Sequence, residues 1–180
     1  ATINVEGPLA TGMQISEHEI GGSIINEGSI QAKGEGFSEG GDDGDIEGVN
    51  ALIVEDSALN GDIVNQGTIR AEGINSTAFE MSNLTLKKLL NTGAVEVADS
   101  VSGAIPENEG TVAIDLWKTS LDGIENQGTI SASGERSVAL YVEDGEFGLG
   151  GIRNSGTIKA EGTAIHLASR GIPSWCRDRH

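Results

Sequence analysis

Apolar residues along this chain fall in short alternating runs broken by glycine, and one run returns with the same spelling. From Ile24 the chain reads Ile-Ile-Asn-Glu-Gly-Ser-Ile-Gln-Ala-Lys-Gly, and from Ile63 it reads Ile-Val-Asn-Gln-Gly-Thr-Ile-Arg-Ala-Glu-Gly. Copies beginning at Ile124 and Ile152 complete the pattern I-x-N-x-G-[ST]-I-x-A-x-G, and a weaker one from Leu89 keeps Asn91 and Gly93. A second motif follows each copy after a variable gap: Ala51-Leu52-Ile53-Val54, Ala78-Phe79-Glu80-Met81, Ala113-Ile114-Asp115-Leu116, Ala139-Leu140-Tyr141-Val142 and Ala164-Ile165-His166-Leu167. Gly12-Met13-Gln14-Ile15 reads as its leading member. Alternation at period two predicts strands with one face inward and one outward. Each unit therefore holds one strand ending at an Asn turn, a second after the Gly, and a third after a loop.

The Asn-to-Asn spacings are 39, 26, 35 and 28 residues, so the strands repeat while the loops stretch. Such elasticity suits a parallel β-solenoid, where each turn stacks on an identical inward set and a loop leaving the body can take any length. Five inward columns can be written down. They are headed by Ile24, Ile30, Ala32, Met13 and Ile15, and each gains one residue per unit. Asn26, Asn65, Asn91, Asn126 and Asn154 form a polar column. Buried amides require hydrogen bonds, and stacking about 4.8 Å apart lets them bond to one another along the axis. The Gly two positions after each Asn is expected to supply a positive φ at the corner. Six third-strand motifs predict about five to six turns and an axis of about 24 Å.

Composition narrows the function. The chain has 180 residues, and 28 Asp+Glu against 11 Lys+Arg give a formal charge of −17. That charge repels phosphate backbones and anionic membranes, so no nucleic acid is expected as partner. One cysteine, Cys176, allows neither an internal disulfide nor a thiolate metal cluster. No run reaches the ~18 apolar residues of a membrane span. The first residues lack the basic and apolar regions of a signal peptide, and a mature or excised segment with no membrane insertion of its own is expected.

The I-x-N-x-G-T-I-x-A-x-G spelling over roughly residues 10–169 resembles the passenger regions of bacterial autotransporters, the type V secreted proteins of Gram-negative outer membranes. The resemblance implies an all-β, right-handed, single-stranded parallel β-helix at residues 1–169, carried to the cell surface by a C-terminal β-barrel translocator in the full-length protein. It also implies a non-catalytic role in adhesion, autoaggregation or biofilm formation, with host or neighbouring cell surfaces, glycans or further copies as partners. The pattern stops after Ala168, and residues 170–180 carry three of the eleven basic residues with one acid. This tail reads as a cap, a linker or foreign sequence.

Parallel β-helices also carry polysaccharide lyases and hydrolases, so the alternative is a carbohydrate-active enzyme. Such chemistry needs carboxylates convergent on one face. In the outward column Ile53, Glu80, Asp115, Tyr141, His166, the only adjacent acids are Glu80 and Asp115, which points to a solvated face rather than a catalytic trio with His166. In the glycine-rich loop, Asp43, Asp45 and Glu47 before Gly48 have the alternating spacing of calcium loops. The twelfth position from Asp43 is Val54, so calcium is expected to bind weakly if at all. Glu143-Asp144-Gly145-Glu146 reads as a second acidic loop. Ser29, Thr68, Thr129 and Thr157 form a hydroxyl column, but the neighbouring column is charged and unsuited to ice. Sequons at Asn75 and Asn83 read as chance matches. The outward Ile25, Val64 and Leu90 call for cover by the 34–48 loop or for a contact patch.

Overall fold

The computed structural model describes residues 1–35, 37–38, 46–99 and 110–168, with residues 37–38 and 46–47 described by their backbone alone. All regular structure among them is β, in three parallel sheets whose strands follow chain order. Sheet one holds β1 (Thr2–Glu6), β5 (Ser29–Lys33), β11 (Thr68–Glu72), β14 (Ala94–Ala98), β17 (Thr129–Ser133) and β20 (Thr157–Ala160). Sheet two holds β2 (Thr11–Ser16), β8 (Asn50–Glu55), β12 (Thr77–Ser82), β15 (Val112–Trp117), β18 (Val138–Glu143) and β21 (Thr163–Ala168). Sheet three holds β4 (Ile24–Asn26), β10 (Ile63–Asn65), β13 (Thr85–Asn91), β16 (Ser120–Asn126) and β19 (Glu146–Asn154), with the short β3 (Glu19–Ile20) and β9 (Ala58–Leu59) extending its earlier members. The chain thus visits sheets one, two and three in rotation, and one such pass is a rung. A separate antiparallel pair joins β6 (Phe37–Ser38) to β7 (Ile46–Glu47).

Register follows the spelling of the repeat. Ile30 pairs with Ile69, which pairs with Val95, then Ile130, then Ile158. In sheet two Met13, Leu52, Phe79, Ile114, Leu140 and Ile165 are successive partners. Inner rungs bury these side chains completely, with Ile69, Phe79, Ile114, Ile130 and Leu140 all 0% exposed. Burying such a side chain stabilises by about 1.5–3 kcal/mol. Because each rung repeats the burial, the core is one continuous column.

The Asn column runs up sheet three. Asn26 Nδ2 donates to Asn65 Oδ1 (2.8 Å), Asn65 to Asn91 (2.8 Å), Asn91 to Asn126 (2.7 Å) and Asn126 to Asn154 (2.7 Å). The same nitrogens also donate to the carbonyls of Thr68, Ala94, Thr129 and Thr157, so both amide protons are used. Meanwhile the Asn main-chain carbonyls accept two N–H bonds each from the next rung, as Asn65 O does from Thr92 and Gly93. The amide side chain thereby closes the polar side of every corner.

Glycine at this corner serves a different purpose from the one expected. None of Gly28, Gly67, Gly93, Gly128 and Gly156 has φ in the left-handed region. Instead, a Cβ on Gly67 would lie 1.8 Å from Gly28 O, one on Gly93 2.0 Å from Gly67 O, and one on Gly128 2.0 Å from Gly93 O. Each glycine is required because its own copy sits directly against it. Positive φ occurs at the corner from sheet two to sheet three, at Glu17, Asp56, Asn83, Lys118 and Asp144. These residues are polar and mostly of the type that tolerates αL. Glu143-Asp144-Gly145-Glu146 is therefore this corner and not a loop.

Replacing Asn65 by Leu should leave Asn91 Oδ1, Ala94 O and one proton of Asn26 without partners, costing about 2–4 kcal/mol. Asn154→Leu, at the exposed end of the ladder, should cost under about 1 kcal/mol. Urea unfolding of both variants measures the contrast. Equal costs would contradict a continuous ladder.

Candidate functional site

On the outer face of sheet two, register places Gln14, Ile53, Glu80, Asp115, Tyr141 and His166 in one column. Glu80 and Asp115 are direct partners, so their side chains leave the sheet about 4.8 Å apart. They sit in a cleft of about 450 Å³ whose walls include Leu9, Thr11, Asn50, Asn75, Thr77 and Val112. Asp115 Oδ1 is buried and accepts no hydrogen bond among the described residues.

The electrostatics follow from that placement. Burial, reinforced by the charges of Glu80 and Glu143, pushes the Asp115 carboxyl from 3.8 up to about 7. Burial, then the nearby Glu55, also raises Glu80. Every charge that shifts this pair is acidic, so protonating Asp115 relieves both repulsion and desolvation. Chemically, the arrangement offers an Asp115 carboxyl that can give up or take a proton near neutral pH, beside a second acid whose own ionisation is shifted upward.

The third member of the sequence-derived trio does not join them. Tyr141 occupies the rung between Asp115 and His166, its ring meets the imidazole edge-on with centroids 5.1 Å apart, and its hydroxyl donates to Glu143 Oε2 at 3.1 Å. The expectation of a merely solvated face fails at Asp115 and, to a lesser degree, at Glu80, since spacing shows an outward direction but not the depth of the cleft around them.

Other sequence candidates resolve as follows. Asp43 and Asp45 lie outside the described residues, and of Glu47 only the backbone is described, paired with Phe37. Among the described residues no three His, Cys, Asp or Glu side chains group as metal ligands. Cys176 and the tail lie outside the described residues as well. Beside the hydroxyl column, the charged column of sheet one forms ion pairs, Arg70 with Glu96 (3.2 Å) and Glu72 (3.4 Å), and Lys33 with Glu72 (2.7 Å). Surface pairs of this kind contribute little, and these exist mainly because register sets opposite charges side by side. Ile25 is 58% exposed. Most of the 34–48 loop expected to cover it lies outside the described residues. Asn83 is a corner residue bonded to Asp56 Oδ1.

No protein-family model, curated protein or solved structure matches this chain.

The raised Asp115 carboxyl has a definite sign in folding. Between pH 4 and 7 the unfolded chain has lost this proton and the folded chain retains it, so stability falls as pH rises through that window. The loss should be on the order of 3–4 kcal/mol and complete above pH 7. Asp115→Asn should flatten the difference between urea midpoints at pH 4.5 and 7.5 and stabilise the protein at pH 7.5. A variant as pH-sensitive as the wild type would rule out Asp115 as the source.

Proposed function

We propose that the chain is a segment of a right-handed parallel β-helix of the autotransporter-passenger type, displayed at the surface of a Gram-negative bacterium as a non-catalytic adhesion and aggregation scaffold. The open form of the sheets supports the β-helix: among the described residues each is a row in chain order, running from β1, β2 or β4 to β20, β21 or β19 without the two ends pairing. A closed barrel would join such ends. Right-handedness follows from the general rule for crossovers between parallel strands of one sheet.

One observation carries the scaffold reading: the repeated letters are spent on the core, the Asn ladder and the glycine stack, and outside them only on the hydroxyl column of Ser29, Thr68, Thr129 and Thr157, while the other outward positions change from rung to rung. Gln31, Arg70, Glu96, Ser131 and Lys159 share one outward column without sharing a chemistry. A repeat of this kind encodes length and rigidity and leaves its faces free to vary, as surface contact requires. Host or neighbouring cells, glycans and further copies are the partners this reading implies, and the β-barrel translocator belongs to the full-length protein.

The cleft of Glu80 and Asp115 favours a second reading, a carbohydrate-active enzyme in which Asp115 is the proton donor. Beads coated with the protein should adhere to cells or immobilised glycans, or clump. Joint replacement of Glu80, Asp115 and His166 by Ala should leave this nearly unchanged. Ile130→Asp should abolish it by burying an unpaired carboxylate in the core. Beads that bind nothing would contradict the scaffold. Release of reducing or unsaturated ends from pectin, alginate or neutral glycans, lost in Asp115→Asn, would replace it with the enzyme.

A further inference from the structure

The cleft on sheet two is a groove built from four successive rungs. Thr11, Asn50, Thr77 and Val112 are register partners at the starts of β2, β8, β12 and β15, and all four line it. Three rung steps make this course about 14 Å long, parallel to the axis. Gly48 and Gly110, where an added Cβ would strike main-chain atoms of the next rung, add bare backbone to the lining. Among the described residues Glu80 and Asp115 are its only charged members, and they lie side by side.

Donors are missing at this pair. The neighbouring acids of the same sheet are supplied from within, Glu55 by Gln14 Nε2 (2.6 Å) and Glu143 by the Tyr141 hydroxyl (3.1 Å). Among the described residues no ion pair reaches Glu80 or Asp115, and Asp115 Oδ1 is shut off from solvent without a donor. The charges facing Asp115 are Glu80 on β12 and Glu143 on β18, and Glu80 also faces Glu55 on β8. All are acidic. Alone, the groove relieves this by holding a proton, whereas an ammonium group would supply the same positive charge with three N–H donors.

We propose that the groove binds a small hydroxylated primary amine, an amino sugar, with its ammonium group on the Glu80 and Asp115 carboxylates and its hydroxyls on Thr77, Asn50 and Thr11. The lining selects the body of the ligand, since hydroxyl and amide side chains both donate and accept, as sugar hydroxyls do. A volume of about 450 Å³ lies in the range of small-molecule sites. A lysine side chain would bring methylenes to that polar course. Calcium takes six to eight oxygens, and among the described residues no three acidic or imidazole side chains group here. The site goes beyond the adhesion reading, which rests on the broad faces.

Calorimetric titration of the full chain at pH 7 tests it, with glucosamine, N-acetylglucosamine, glucose and butylamine as probes. Glucosamine should bind saturably. The other three should bind at least about tenfold more weakly, since two lack the charge and butylamine lacks the hydroxyls. Asp115→Asn and Glu80→Gln should each weaken glucosamine about tenfold or more, with an unchanged far-ultraviolet circular dichroism spectrum. At pH 5.5 binding should be about tenfold weaker than at pH 7, because the Asp115 proton then competes with the ammonium group and leaves to the buffer. The β-linked glucosamine dimer separates two sources: tighter binding than the monomer assigns a chain unit, weaker binding a free sugar. No saturable heat up to about 10 mM glucosamine, equal binding of N-acetylglucosamine or butylamine, or full affinity in either variant would overturn the proposal. Calcium that titrates the pair where glucosamine does not would also overturn it. Bead adhesion by the two variants should match the wild type, so loss of the amine site and loss of the adhesion reading are told apart.

Discussion

Everything in this structure depends on one constraint: a residue on the inside must fit against the same residue one strand spacing away. An isoleucine meets that condition by packing, an asparagine by donating to the next asparagine, and the corner glycine by having no side chain. A charged residue meets it badly, since like charges directly opposite one another repel. The inner columns are accordingly apolar, amide or glycine. Acids collect outside, and even there burial and neighbouring acids raise both members of the partly buried, in-register acid pair Glu80 and Asp115.

The same constraint explains what was legible in the sequence. Strand faces and register could be read because a stacked rung must reuse its letters, and Asn26 through Asn154 mark the same corner five times. The role of the corner glycine could not be read. Positive φ and close approach both select glycine, and only coordinates show that Gly93 is pressed against Gly67 O. A further inward column, Ile20, Leu59, Leu86, Leu121 and Phe147, also escaped notice. Its distance to the Asn motif varies, but each member lies five residues after the last inward residue of the third-strand motif (Ile15, Val54, Met81, Leu116, Val142), so the signal lay on the far side of the left-handed corner from the Asn motif. Asp115 was visible as an outward acid, but its depth depends on walls contributed by three other rungs.

Function divides along the same line between repeated and unrepeated positions. What repeats builds a rigid column. What does not repeat is the surface, where ion pairs around Arg70, the aromatic contact of Tyr141 with His166 and the acidic cleft each occur once. On the scaffold reading proposed above, such a column presents surface at a distance, and its individual side chains modulate contact without carrying the stability of the whole.

The central claim is that consecutive rungs are joined through a continuous asparagine ladder, and side-chain amide exchange tests it most directly. In nitrogen-15-resolved spectra the Nδ2 protons of Asn65, Asn91 and Asn126 should exchange slowly, those of Asn154 should exchange fast, and contacts should run in order from Asn26 through 65, 91 and 126 to 154. Uniformly fast exchange, or contacts that skip a rung, would contradict the account.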